Sequence, residues 1–286
     1  MKFCLFTIVK NEHRFLDEWL IYHLNFGIDH IFVFEDIGSD SHSSICSKYN
    51  NVECNSVLSL YSSDTDRNSI IRDKENHVPR LQVRYMYKIL STLYDYDWVI
   101  YLDVDEFLTF QYNNSSLCNI FQQYCEYDNL VLQWMNFNAN SHILRPIGSV
   151  IESYTKECDI HIGNWVYPFT CTKLAFNMHR WNRSIICNMH LPKNGRWCKT
   201  DFSSDITNIA YDKIYVRHYI TKSFEDYCHK LYKNGQFVVM LRSILDFFDF
   251  NPDMSITDDR IQNILSNYSN EYRLSNMVVP MQIKMI

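Results

Sequence analysis

The chain has 286 residues, of which 47% are hydrophobic and 21% charged, with a formal charge of −6. That is long enough for one large α/β domain, ordinary for a soluble globular protein, and gives no electrostatic case for nucleic acid. Six glycines against 20 Tyr and 18 Phe argue for an aromatic-heavy core with few tight turns. "KFCLFTIV" (2–9) has the apolar run of a buried strand. "NEHRFLDEWLIYHLNFG" (11–27) follows with Phe15, Leu16, Trp19, Leu20 and Leu24 at helical spacing and Gly27 at the C′ position. "HIFVFE" (30–35) is again a strand, so residues 2–35 predict a βαβ unit and a parallel, buried sheet.

Residues 60–78 are polar and aperiodic and read as loop. Pro79 opens a predicted helix through Leu93, with Leu81, Tyr85, Met86, Ile89, Leu90 and Leu93 on one stripe. "WVIYLD" (98–103) and "NLVLQWM" (129–135) are strands, and 136–212 reads as an irregular α+β stretch. "KIYVRHY" (213–219) is a strand. "SFEDYCHKLYKNG" (223–235) is a helix with Ser223 as N-cap and Gly235 past its end, and two further helices fall at about 236–249 and 257–268. With no repeat and no linker, 1–286 is expected to be one domain, with halves 1–110 and 111–235 and C-terminal helices over 236–286.

The ten cysteines are scattered, with no C-x-x-C and no zinc spacing. Reduced thiols in a cytoplasmic setting are therefore expected. The apolar stretch before Lys10 is too short for a secretory leader and no run reaches the length of a transmembrane segment, which leaves peripheral membrane contact open.

The chemistry concentrates in "WVIYLDVDEFL" (98–108), where an apolar strand runs into Asp103, Val104, Asp105 and Glu106. In a strand, residues i and i+2 point the same way, so Asp103 and Asp105 are expected to face one ligand at the carboxyl end of a parallel strand. Adjacent carboxylates repel, and Mg²⁺ or Mn²⁺ with hard oxygen ligands relieves that. A solvated strand end is the plainer alternative. Haloacid-dehalogenase-type phosphatases use D-x-D-x-[T/V] with the first Asp as nucleophile, but Phe107 fills the fifth place here. "SDTD" (63–66) has no strand leading into it and reads as surface.

"TIVKNE", "LDEWLIYHLNFGIDHIFVFED", "WVIYLDVDEFL" and "VRHYITKSFEDYCHKLYKNG" occur in that order. Together they resemble the GT-A glycosyltransferases of the family-92 and family-2-like group (relatives of the "domain of unknown function 23"). The likeness covers 3–110 and returns at about 129–154 and 213–235; where relatives carry an F-G-x-x-G-like stretch this chain reads "FNAN" (137–140). The resemblance implies an α/β GT-A fold, Rossmann-like with a mostly parallel sheet. It implies a nucleotide-sugar donor, usually a UDP-sugar, whose diphosphate is held through Mn²⁺ or Mg²⁺. Thr7, Val9, Lys10, Asn11 and Glu12 match the family's nucleotide-binding loop, although Asn11 could simply cap the helix. Asp36 matches the nucleoside contact, where turn chemistry is the alternative. His218 matches the C-terminal His motif and would join Asp103 and Asp105 at the metal, with Lys222 offering charge to phosphate and His190 a weaker ligand. Val104 lies between the two aspartates on the nucleotide side. Arg80 and Arg84 could reach phosphate or stay solvated.

The expected function is transfer of a sugar to a hydroxyl of a glycan or related acceptor, with inversion, in glycan or polysaccharide assembly. Glu152, Asp201 and Asp205 are candidates for the base that deprotonates the acceptor, with Glu106 beside the metal motif. Trp134, Trp165, Trp181 and Trp197 could stack on sugars or fill cores. The alternatives are a phosphatase or phosphotransferase using Asp103, and a catalytically silent glycan-binding protein.

Overall fold

Strand β1 (Phe3–Val9), helix α1 (His13–Phe26) and strand β2 (His30–Glu35) form the expected βαβ unit, with Thr7 opposite Val33 in a parallel pair. Alternate residues of β1 enter two cores. Phe3, Leu5 and Val9 join Leu16, Trp19 and Leu20 of α1, while Cys4 and Phe6 pack with a second cluster on the other face. A sheet covered on both sides needs apolar residues at consecutive positions, which is why this segment reads as an unbroken run. α1 stops at Gly27, whose φ of 109° is left-handed and whose N–H returns to the last turn.

The computed structural model describes residues 1–76, 81–113, 115–158, 161–162, 165–166, 172–182, 184, 190–205, 209–232 and 244–271. The further strands are β3 (Val52–Ser56), β4 (Trp98–Tyr101), β5 (Glu106–Phe110), β6 (Asn129–Asn136), β7 (His161–Ile162), β8 (Trp165–Val166), β9 (Thr172–Asn177), β10 (Trp197–Lys199) and β11 (Ile214–His218). The main sheet runs β3-β2-β1-β4-β9-β6-β11-β5, with β10 beside β6; β7 and β8 pair as a separate two-stranded antiparallel sheet. β3, β2, β1 and β4 are parallel, whereas β9 is antiparallel to both its neighbours, and β5 runs antiparallel to β11. This is a mixed α/β fold on a mostly parallel sheet. β1 sends its connection to β2 on one side while β4 lies on the other, so the crevice between the carboxyl ends of β1 and β4 is a topological switch point.

The further α-helices are α2 (Ser43–Cys46), α3 (Asp64–Glu75), α4 (Leu81–Leu90), α5 (Leu117–Phe121), α6 (Val150–Ser153), α7 (Phe224–Tyr232), α8 (Ile244–Phe250) and α9 (Asp259–Glu271), with short 3-10 turns at Val57–Leu60 and Gln122–Tyr124. Pro79 and Arg80 lie outside the described residues, as does most of the helix expected from 236. Among the described residues no helix is long and apolar enough to cross a membrane.

The segment expected to be loop over 60–78 is largely helix α3. Ile70 is its one buried residue, so no apolar stripe announces it. Its signals are at the ends: Ser63 Oγ accepts the Asp66 N–H, Asp64 and Asp66 occupy the first turn, and Arg72 and Lys74 the last. "SDTD" is thus a helix cap and first turn on the surface.

α1 clamps the backbone of β5 through three side chains. Trp19 Nε1 donates to the Glu106 carbonyl at 2.8 Å and Tyr22 Oη to the Leu108 carbonyl at 2.6 Å. His23 Nδ1 donates to the Trp19 carbonyl at 2.9 Å, which leaves Nε2 to accept the Leu108 N–H at 3.2 Å. Both ring nitrogens are committed in the neutral form, and burial pushes the pKa of His23 down to about 3. Below pH 6.5 the unfolded chain takes up a proton that the folded chain refuses, so stability falls as the pH drops from about 6.5 toward 3, by about 1.4 kcal/mol per pH unit. Urea unfolding between pH 7 and pH 5 is expected to show a shallower loss of stability in His23→Gln than in the wild type. Equal slopes would remove His23 as the cause.

Candidate functional site

Two loops face each other across the crevice. On the β1 side, Asn11 adopts a left-handed φ of 57°, unusual for a residue with a side chain. It does not cap α1. Its N–H goes to Ser39 Oγ at 3.1 Å and its Oδ1 accepts the Asp40 N–H at 2.9 Å. The Glu12 N–H donates to His42 Nε2 at 3.0 Å, so that nitrogen carries a lone pair and Nδ1 the hydrogen, 3.4 Å from Glu35 Oε1. Burial, helped by His13, lowers the pKa of His42 and keeps it in this neutral form. The segment 10–12 is thereby stitched to the turn after β2.

On the β4 side the strand ends at Tyr101, two residues before Asp103. Asp103 to Glu106 form a turn closed by the Glu106 N–H on the Asp103 carbonyl at 3.0 Å. The two aspartates therefore do not share a strand face, and they take different partners. Asp103 accepts from Tyr101 Oη at 2.8 Å and from Lys173 Nζ at 2.7 Å, with 39% of its side chain exposed. Asp105 is buried, 2.5 Å from Lys230 Nζ, 3.8 Å from Lys222 Nζ and 4.0 Å from His218 Nε2. Burial works against ionisation of Asp105, but Lys230 and Lys222 overcome it and hold the carboxyl well below the usual range. Glu106 goes the other way: burial pushes its pKa well up against the pull of Lys173, with Asp103 and Asp105 adding to the rise.

Asp105, Glu106 and His218 each present a ligand atom, all within 4.8 Å of one another. Two details fit this trio to a divalent cation. Glu106 Oε1 is sealed from solvent with no hydrogen-bond partner, and an orphaned carboxylate oxygen is costly to bury. His218 Nδ1 donates to Asn136 Oδ1 at 2.9 Å, which turns the Nε2 lone pair toward Asp105, as second-shell partners do for metal-binding histidines. Trp134 packs its ring 4.1 Å from that of His218 and fixes it from the side.

The remaining expected residues fall into three groups. Thr7 and Val9 are buried at the end of β1, with Thr7 Oγ1 lacking a partner, and Val104 is buried within the turn. Lys222 is buried with a left-handed φ of 52° and its Nζ 4.4 Å over the Phe15 ring, between Asp105 and Glu12. Asp36 lies at the β2 end, where it accepts the Ile37 N–H at 2.8 Å and pairs with Lys74. Glu152 instead belongs to an exposed capping pair with Ser149 at the start of α6. Asp201 accepts the Ser203 N–H at 2.9 Å in the turn after β10 and Asp205 is exposed nearby, both acting on Lys199 rather than on the 103–106 turn. Arg84 pairs with Asp73, and His190 is held by the Thr172 carbonyl at 2.8 Å. Trp181 is buried in the second core cluster.

Lys173 and Lys230 were not anticipated. Lys173 left a signal: it is the one charge in "TKLAFN", a strand buried at every position. Lys230 left none, since a lysine near the end of an amphipathic helix is ordinary.

No protein-family model matches the chain. A glycosyltransferase family 92 protein of Oryza sativa subsp. japonica is 25% identical over 121 residues, which are 42% of this chain and 18% of that protein. The chain thus spans less than a fifth of the length of the curated relative it matches. S. aureus TarS, residues 1–349, superposes with a TM-score of 0.42 and 13% identity over 95% of this chain and 81% of that one, a likeness of general outline.

Proposed function

We propose that the chain is a metal-dependent glycosyltransferase that moves a sugar from a nucleoside diphosphate, UDP in the first instance, to the hydroxyl of a glycan or related acceptor. The observation that carries this reading is the Asp105–Glu106–His218 cluster at the carboxyl rim of β4, set across the switch-point crevice from the Lys10–Asn11–Glu12 loop. The order of motifs and the local relationship to a family-92 protein support it. Bound Mn²⁺ or Mg²⁺ would neutralise charge building on the departing diphosphate.

The chain's own residues have separable tasks. Asp105, Glu106 and His218 would hold the ion, with Asn136 and Trp134 orienting His218. Lys222 and Lys230 supply fixed positive charge beside Asp105, where diphosphate oxygens would lie. Asp36, once released from Lys74, is suited to ribose hydroxyls. Both oxygens of Asp103 already accept hydrogen bonds and Asp105 is tied to Lys230. That favours direct attack by the acceptor hydroxyl, with inversion, over a covalent enzyme intermediate, and it disfavours Asp103 as a phosphatase nucleophile.

Calorimetry is expected to show UDP binding at least about tenfold more tightly with Mn²⁺ than with chelator, and Asp105→Ala is expected to erase the difference. Equal affinity in both buffers would reject the metal. A second expectation concerns the lysines: in chelator, Lys222→Met should weaken the residual binding of UDP by about tenfold, and the residual affinity should fall with added salt. A residual affinity insensitive to both would place the diphosphate elsewhere.

A further inference from the structure

Lys173 is the least expected charge in the protein. It is the second residue of β9 and its side chain is fully sealed from solvent. Its ammonium lies 2.7 Å from Asp103 Oδ2, 3.3 Å from Glu106 Oε2 and 4.3 Å over the centre of the Tyr101 ring. The same Glu106 Oε2 accepts the Asp103 N–H at 2.9 Å, and Tyr101 Oη reaches the other oxygen of Asp103 at 2.8 Å. Asp103, Lys173 and Glu106 thus close a ring that fixes the turn. An ammonium sealed from solvent at these distances from two carboxyl groups is held by ion pairing and hydrogen bonding to Asp103 and Glu106.

A buried lysine here has two consequences for an ion arriving at Asp105, Glu106 and His218. It repels that ion across a few ångströms of buried protein, where screening by water is weak. It also occupies the Asp103 oxygen that a D-x-D pair would otherwise offer. A nucleoside diphosphate reverses the first effect, because its negative charge compensates ion and lysine together.

Resting on the metal-dependent reading above, we propose that Lys173 is a positioning residue that withholds Asp103 from metal ligation and weakens binding of the divalent ion until the nucleoside diphosphate is present. The ion and the diphosphate are then strongly coupled, each raising the affinity of the other by the same factor.

The test measures free Mn²⁺ by electron paramagnetic resonance, with and without UDP, in the full chain and its variants. Lys173→Met is expected to bind Mn²⁺ alone about tenfold or more tightly than the wild type, and the enhancement by UDP is expected to shrink. Lys173→Arg, which keeps the charge, should behave as the wild type. A purely structural lysine would give the opposite sign, with weaker Mn²⁺ binding in the Met variant. Should that variant fail to fold, Lys173→Gln keeps a donor toward Asp103 while removing the charge, and the same tightening is expected. Unchanged or weaker Mn²⁺ affinity in a folded neutral variant overturns this inference while leaving the metal reading intact. Absence of Mn²⁺ binding in every protein, with UDP or without, overturns both.

Discussion

Four acidic groups and three lysines meet at the rim of the sheet, and neither set could be buried without the other. Asp103, Asp105 and Glu106 stand within one turn, with Glu12 across the crevice interacting with Lys222 and Lys230. An isolated buried charge is prohibitively costly, and removing one member of a buried pair typically costs about 3–5 kcal/mol. Lys173 comes from β9, Lys222 from the corner after β11 and Lys230 from α7. Elements from the second half of the chain are therefore structural parts of the site around the 103–106 turn. The order of the sheet reflects this, since β9 is inserted antiparallel between β4 and β6 and brings Lys173 beside the turn.

The backbone carries strain on both sides of the crevice, in the 10–12 segment and at the corner after β11. Asn11 and Lys222 both sit at positive φ, at φ 57° and φ 52°, a conformation that costs on the order of 1 kcal/mol for a residue with a side chain. Each is held by neighbours that leave it little freedom. Asn11 is tied on both sides to the turn after β2. The corner that bears Lys222 is fixed by the Tyr219 N–H on the Asp105 carbonyl at 2.9 Å and by the Ser223 N–H on Tyr154 Oη at 3.0 Å. The first of these bonds makes the turn and the lysine corner one unit, so that Asp105 and Lys222 cannot move apart independently.

How much of this was legible depended on whether the signal was local. β1, α1, β2 and β4 are announced by consecutive apolar residues or a clear stripe, and they appear within a residue or two of the expected bounds. α3 was missed because a helix anchored by Ile70 alone has no stripe, although its cap and end charges were readable. The D-x-D was found, but its geometry was not: β4 ends at Tyr101, so strand periodicity does not carry to Asp103 and Asp105. Glu152, a carboxylate in the second half of the chain, forms a capping pair with Ser149, and S-x-x-E before a short helix is the pattern that announces it.

The two aspartates are alike in sequence and unlike in place, and the difference bears on what can enter. Asp103 is open at the mouth and bound to a lysine that has no exit; Asp105 lies deep, with lysines of which Lys230 is partly exposed. A ligand can draw Lys230 away from Asp105 by offering it another anion, and cannot do so for Lys173. Charge balance then limits the ligand. Three lysines already stand against the aspartates in this region, and burial works against ionisation of both Glu106 and Glu12. A bare divalent cation would add positive charge to a region that holds enough, and a bare diphosphate would meet buried carboxylates. A divalent ion and a diphosphate bound together would bring nearly offsetting charges, which such a balance of lysines and carboxyl groups would accommodate better than either alone.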